Sequence, residues 1–357
     1  NITYSAEHQK KSAIYARDVK LAKQGLSRYG YPATYRVNAR HPDNGQLLSK
    51  IVADDRCPTE LGQSNFPNSI IEDGYCKLNF AQFLQLIPES QNSSGMLDGN
   101  WQYEGENQLY AHLDFSINKT IGIGAPTPTV GGLEFLPTMS ASNINNPTQG
   151  QTLAFDSDFD GSDDTFIDGP FNLDLFYRNV LGEVRKTENT DKMFNFYAGA
   201  SGEFASKKHY QFSIFYNSNN TDSLSHGLVR RDLLQGAIDD GSFDIFAVNQ
   251  EADPALAKSF AIDSAFTAKF QYHGANYTLH TNFFGKDADE HDTVFGIEYV
   301  EHDYSSVFQD EFADNVIDGR AGGGSAKGQR EIFSAFAETS LDVTKLLNFN
   351  LSVRYDH

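Results

Sequence analysis

In "YQFSIFYN" the apolar side chains Tyr210, Phe212, Ile214 and Tyr216 fall on one parity and Gln211, Ser213 and Asn217 on the other. Alternation with a period of two is the pattern of a β-strand with one apolar and one wet face. Just upstream, "FNFYAGASGEF" sets Phe194, Phe196, Ala198, Ala200 and Phe204 against Asn195, Tyr197, Ser201 and Glu203. Only "ASKKH" separates the two runs, which predicts a hairpin. A second hairpin is predicted where Leu97, Gly99, Trp101 and Tyr103 are followed, after "GENQ", by Leu109, Ala111, Leu113, Phe115 and Ile117. A third joins Phe333, Ala335, Ala337 and Leu341 through "DVTKLL" to Phe349, Leu351, Val353 and Tyr355. The stretch "FTAKFQYHGANYTLHTNFFG" changes phase at "HGAN", where Gly274 permits a turn or a bulge. Parity with the strand predicted over Thr293 to Tyr299 favours one bulged strand across 264–284 over a hairpin.

Between these runs the alternation lapses in long polar segments at approximately 10–92, 122–190, 221–263 and 304–329, rich in Asn, Asp, Gly and Ser. Connections beyond about 12–15 residues are uncommon in compact soluble domains. Tight turns alternating with very long loops predict an all-β fold, an antiparallel transmembrane β-barrel with short periplasmic turns and long extracellular loops. About nine strands of a larger barrel are present on this reading. Mid-strand charges such as Asp114 and Arg354 then need a watery lumen to face.

Composition sharpens this picture. The chain has 357 residues, and its 28 Phe, 17 Tyr and single Trp suit the aromatic girdles of a barrel. It holds no run of about 18 apolar residues, so a transmembrane helix is excluded, but a barrel shows lipid only every second side chain. A net charge of -20 argues against a nucleic-acid partner, because that affinity comes from Lys and Arg neutralising phosphates. No nucleophile-and-base constellation is suggested locally, no cofactor motif is present, and we read the protein as a non-enzyme. "RAGGGSAKGQR" lacks phosphate-loop spacing and reads as a flexible loop. Histidines beside carboxylates in Glu301 to Tyr304 and Asp287 to Asp292 read as solvated turns. Asn-x-Ser/Thr occurs at Asn1, Asn92, Asn118, Asn219, Asn276 and Asn350, but Asn118 and Asn350 sit inside predicted strands, which favours chance. The chain opens at Asn1 without an export signal and stops within the alternating run "NFNLSVRYDH", so it reads as a fragment.

Two local features carry candidate chemistry. Asp156-x-Asp158-x-Asp160-Gly161 has the one-three-five carboxylate spacing and glycine of a calcium loop, but Ile167 stands where a bidentate Glu should close the coordination shell. Asp156, Asp158 and Asp160 are therefore weak metal candidates. With Asp163 and Asp164 they form a group of repelling carboxylates, expected to hold the loop open and to serve in ligand capture or surface charge. Cys57 and Cys76, the two cysteines, lie in a polar, irregular stretch. They read either as one disulfide closing a loop in an oxidising compartment or as two unpaired thiols.

Four segments resemble the barrel of the TonB-dependent outer-membrane receptors. They are "CKLNFAQFLQLIPESQNSSGMLDGNWQYEGENQLYAHLDFSINKT", "NLDLFYRNVLGEVRKTENTDKMFNFYAGASGEF", "TVFGIEYVEHDYSS" and "GQREIFSAFAETSLDVTKLLNFNLSVRYDH", in the family's order and spanning nearly the whole chain. The resemblance, to the proteobacterial branch, implies a barrel of about 22 strands. Its partners would be outer-membrane lipid, an imported ligand, and a TonB complex engaged through an N-terminal plug that this sequence does not contain. The expectation over 1–357 is thus a barrel fragment without its plug and C-terminal strands. It would sit in the cell outer membrane of a Gram-negative bacterium and serve uptake of a scarce nutrient, whether an iron-siderophore, an oligosaccharide or another organic ligand. The competing expectation is a soluble secreted β-rich module that grips calcium or glycan through its acidic loops.

Overall fold

The alternating runs form nine long strands: β1 (Ile2–Lys11), β2 (Glu89–Glu104), β3 (Asn107–Ile123), β4 (Lys186–Ala205), β5 (Lys208–Arg230), β6 (Ala261–Thr281), β7 (Thr293–Phe308), β8 (Ala326–Thr344) and β9 (Leu347–Asp356). The computed structural model describes residues 1–63, 66–129, 136–205, 208–248, 251–281, 293–308, 316–318, 324–344 and 347–357. Each long strand pairs antiparallel with the next in chain order, and a short strand, Ile317–Asp318, adds to β5. The fold is all-β and antiparallel, and no helix among the described residues is long and apolar enough to cross a membrane.

The register sorts side chains onto two faces. One row of direct partners runs Trp101, Leu109, Ala200, Phe212, Tyr277, Ile297, Ala335, Tyr355 from β2 to β9. The next row, on the opposite face, runs Asn100, Tyr110, Gly199, Ser213, Asn276, Glu298, Ser334, Asp356. The apolar row is not covered: Trp101 and Tyr355 are each 63% exposed and Ile297 50%.

Strand β6 corrects an expectation. It is one strand, but "HGAN" carries no bulge, since both its ladders keep unbroken register through His273 to Asn276. Tyr277 shares the apolar face, while Phe270 and Tyr272 lie on the polar face opposite Asn219 and Asn217. The phase change needs no extra residue because the apolar face gives way to polar side chains in that half of the strand, leaving neither phase enforced.

The strands also run further into the expected loops than the pattern indicated. β5 continues to Arg230, β7 to Phe308, and β8 starts at Ala326 within "RAGGGSAKGQR". Residues 320–323 of that motif, like 287–292, lie outside the described residues. The connection β2–β3 is a two-residue turn in which Gly105 takes φ 56°, a value that favours glycine.

The largest departure lies in the long connections 12–88, 124–185 and 231–260. They are not solvated loops. A four-stranded sheet orders Thr138–Met139, Leu173–Phe176, Thr34–Arg40 and Leu47–Ala53. Two helices follow in the third connection, α1 (Arg231–Asp239) and α2 (Pro254–Ser259). In α1 the i, i+3, i+4 set Leu234, Ala237 and Ile238 is buried. Asp253 caps α2, its side chain accepting from the Leu256 amide, with Pro254 at the first helical position. Val37, Leu175, Tyr177, Ile238 and Phe243, drawn from all three connections, share one hydrophobic core. This cap, not the large sheet, holds the main core of the described residues.

Candidate functional site

Polar ties between connections fix the cap over one end of the sheet. Arg178, buried in the second connection, donates to the carbonyls of Tyr29 and Pro126 and to Ser27 Oγ at 2.6–3.3 Å. Its acceptors are neutral, so burial, followed by the nearby Arg185, pulls its guanidinium down to about 10. Arg56 grips Asp54 with two hydrogen bonds and reaches the Phe246 carbonyl at 2.7 Å, joining the first connection to the third. Cys57 and Cys76 are joined by a disulfide inside the first connection, with Cα atoms 5.8 Å apart. Tyr35, in the four-stranded sheet, has its hydroxyl pushed up to about 12 by burial and then by Asp54 and Asp55.

The acidic stretch is a hairpin on this cap. Thr152–Phe155 pairs with Thr165–Asp168, and Phe155 and Thr165 are buried. Ile167, in the calcium-loop position wanting Glu, lies on the returning strand and packs against the cap core. The chain closes between the two strands rather than being held open. Asp156 accepts from the amides of Asp160 and Gly161, Asp160 from that of Ser162, and Asp164 from the amide and hydroxyl of Ser157. These bonds hold the Asp164 carboxyl below its ordinary range, the Ser157 hydroxyl contributing most. Asp163 turns away to pair with Lys50 at 2.7 Å. The expected repulsion is thus met by backbone amides and one lysine.

Carboxylate oxygens of Asp156, Asp158 and Asp160 lie within 4.8 Å of one another. Asp163 and Asp164 are committed to other partners, so the five candidates do not converge. Three carboxylates fall short of the six to eight oxygens calcium takes. Calorimetric titration with calcium is expected to give at best roughly millimolar affinity. Micromolar binding abolished by Asp158→Asn would contradict it.

A second polar array was missed by sequence reasoning. On the wet face of the large sheet, His112 Nδ1 lies 3.2 Å from Asp98 and Nε2 3.3 Å from Asp114, and its ring stacks on Tyr197 at 5.1 Å. The alternation placed all four on one face, but only the register makes them neighbours. No family model and no curated protein matches the chain.

Proposed function

We propose that the nine strands are the wall of a transmembrane β-barrel in the outer membrane of a Gram-negative bacterium. The three cored connections form its extracellular cap, and the protein serves TonB-dependent uptake of a scarce nutrient. The observation that carries this reading is the slant of the exposed apolar band. On β3 its unbroken run ends at Ile117, before Lys119, with Ile121 and Ile123 beyond that break, and the row of Ile117 continues through Lys192, Asn220, Lys269 and Ser305 to Lys327 on β8. On β4, β5, β6 and β7 the unbroken runs end at Phe194, Tyr216, Ala275 and Tyr299, with Leu224, Ala265 and Val307 set apart from them by polar residues, and on β8 the run ends at Phe333, six residues short of Lys327. Six residues are about 20 Å along a strand, set against about 24 Å across five strand spacings, a slant of about 40°. Membrane barrels tilt their strands by about 35–45°, so a band horizontal in the bilayer crosses the rungs at this angle. A soluble β-module has no reason to leave such a band open to water.

The band on β3, Leu109 to Ile117, is about 27 Å tall before tilt is allowed for, and tyrosine and tryptophan mark its turn-side rim, with the Tyr103 and Tyr210 hydroxyls 3.2 Å apart. TonB dependence rests on the resemblance of the four quoted segments to that receptor family.

Single cysteines test the wall, since both native cysteines are bonded to each other. In membranes, cysteines at Leu113, Phe115, Tyr210, Phe212, Ile214, Leu351 and Val353 should resist a water-soluble maleimide and react with a lipid-soluble one. Cysteines at Asp114, Gln211, Asn350 and Arg354 should do the reverse. Equal reactivity of the two sets with the water-soluble reagent would remove the barrel.

A further inference from the structure

Where each apolar run ends, the next side chain on the same outward face stands at the height where a bilayer's headgroups begin. From β3 to β8 these positions are Lys119, Lys192, Ser218, His273, Glu301 and Glu331. Each lies two residues past its run, about 7 Å along the strand and about 5 Å above the hydrocarbon edge once a tilt of about 40° is allowed for. Charge is divided along this line: two lysines on β3 and β4, two glutamates on β7 and β8. Glu301 and Glu331 are direct ladder partners, with His273 3.4 Å from Glu301.

Lys119 and Lys192 are diagonal neighbours. Lys119 pairs in the ladder with Thr190 and Lys192 with Ile117, so they stand on adjacent rows of the outward face. Long side chains reach one another across such a diagonal. The direct partners of Lys119 on either side are neutral, Gln91 on β2 and Thr190 on β4, and both carry hydrogen-bond donors. Nearby carboxylates have lysines of their own: Glu89 lies 3.3 Å from Lys10, Glu188 2.5 Å from Lys186 and Asp222 3.6 Å from Lys192. Lys119 is exposed and has no ion-pair partner among the described residues. Below the two lysines Phe115 faces Phe194 in the ladder, and both belong to the exposed band.

We infer that Lys119 and Lys192 form a fixed site for the phosphate of an anionic lipid of the outer leaflet, an inference that rests on the barrel reading and assigns one stretch of that wall its lipid. A phosphate carried at the acyl boundary of a headgroup lies level with the two ammonium groups. Both can donate charge-assisted hydrogen bonds to its oxygens while the acyl chains lie along Phe115 and Phe194. Lysine stems cover apolar surface and keep the ammonium in the polar layer, so the contact needs no rearrangement of the band edge. Gln91 and Thr190 add donors without adding charge. The same phosphate is repelled at β7 and β8, where Glu301 and Glu331 hold the corresponding height. The wall therefore takes its anionic lipid on one side. What fills the lumen does not affect the site, because its residues lie on the outward face.

The test titrates the full protein, in neutral detergent, with lipid A, a diphosphorylated glycolipid, and follows the one-to-one complex by native mass spectrometry. Lipid A stripped of its phosphates keeps the same acyl chains and sugars and is the comparison. The parent protein is expected to bind lipid A about tenfold or more tightly than the stripped form. Lys119→Gln and Lys192→Gln should each weaken lipid A by about fivefold and together by about 25-fold, while Lys119→Arg binds as the parent does. Lys327→Gln removes a lysine from the same face on β8, well above the headgroup boundary, and should leave the affinity within about twofold. Equal affinity for the two lipids overturns the inference, as does a double variant that keeps the parent's affinity. Equal losses from Lys119→Gln and Lys327→Gln would show attraction to charge in general and overturn it too. The barrel reading fails separately, by labelling of Leu113→Cys in membranes with the water-soluble maleimide as fast as Asp114→Cys.

Discussion

Arginine in place of Ile214 is expected to cost the folded protein about 2–4 kcal/mol in a bilayer, the penalty for a cation at mid-depth on a barrel's lipid face. Ile214 is 43% exposed in the middle of the apolar band, with Ala198 and Ala275 as its ladder partners, so neither neighbour supplies a counter-charge. Asn219→Arg, on the same strand but the wet face, is the control. It lies among Met193 and Phe270 in the ladder, exposed, and is expected to change stability by no more than about 0.5 kcal/mol. Equilibrium unfolding from lipid vesicles in urea measures both. Equal costs at the two sites would mean that the two faces meet the same solvent, and the membrane wall would have to be abandoned.

Leu175→Ala is expected to destabilise the cap by about 2–5 kcal/mol while leaving the wall in place. Leu175 is fully buried in the small sheet opposite Tyr35, and its core companions come from all three connections. Truncating it leaves a cavity that these separately tethered segments cannot readily collapse. Limited proteolysis should show faster cleavage within 12–88, 124–185 and 231–260 together, because the segments share one core. Lipid-face labelling at Phe212→Cys and Leu351→Cys should remain as in the parent protein. Cleavage confined to 124–185 would show that the connections fold independently, contrary to the shared core.

Much of the large sheet is legible in one dimension. A side chain's face on a strand depends only on parity, so Phe212, Ile214, Leu113, Leu351 and Val353 could be assigned together, and Gln211, Asp114, Asn350 and Arg354 opposite them. Hairpin partners were readable for the same reason, since short links force sequential antiparallel pairing. Beyond the apolar band parity loses its meaning, and that is where the expected bulge at Gly274 failed. Phe270 and Tyr272 alternate as regularly as any strand, yet they sit on the wet face, because alternation reports that two faces differ without saying which is which.

What the sequence by itself determined, then, is the all-β class, the sidedness of the strands and the division into tight turns and long connections, all consequences of local geometry repeating every two residues. Tertiary structure alone decided the rest. The cap core joins Val37, Leu175 and Ile238 across separations no local period records. Its short strands and helices gain their stability from that mutual burial rather than from their own patterns. The acidic hairpin closed because Lys50, over a hundred residues away, takes Asp163, and because the amides that satisfy Asp156 and Asp160 are presented only once the turn has formed. Tyr110, Tyr197 and Phe215 come side by side only through the register of three strands. Register depends on side chains from different strands meeting in space, which no single stretch of sequence contains.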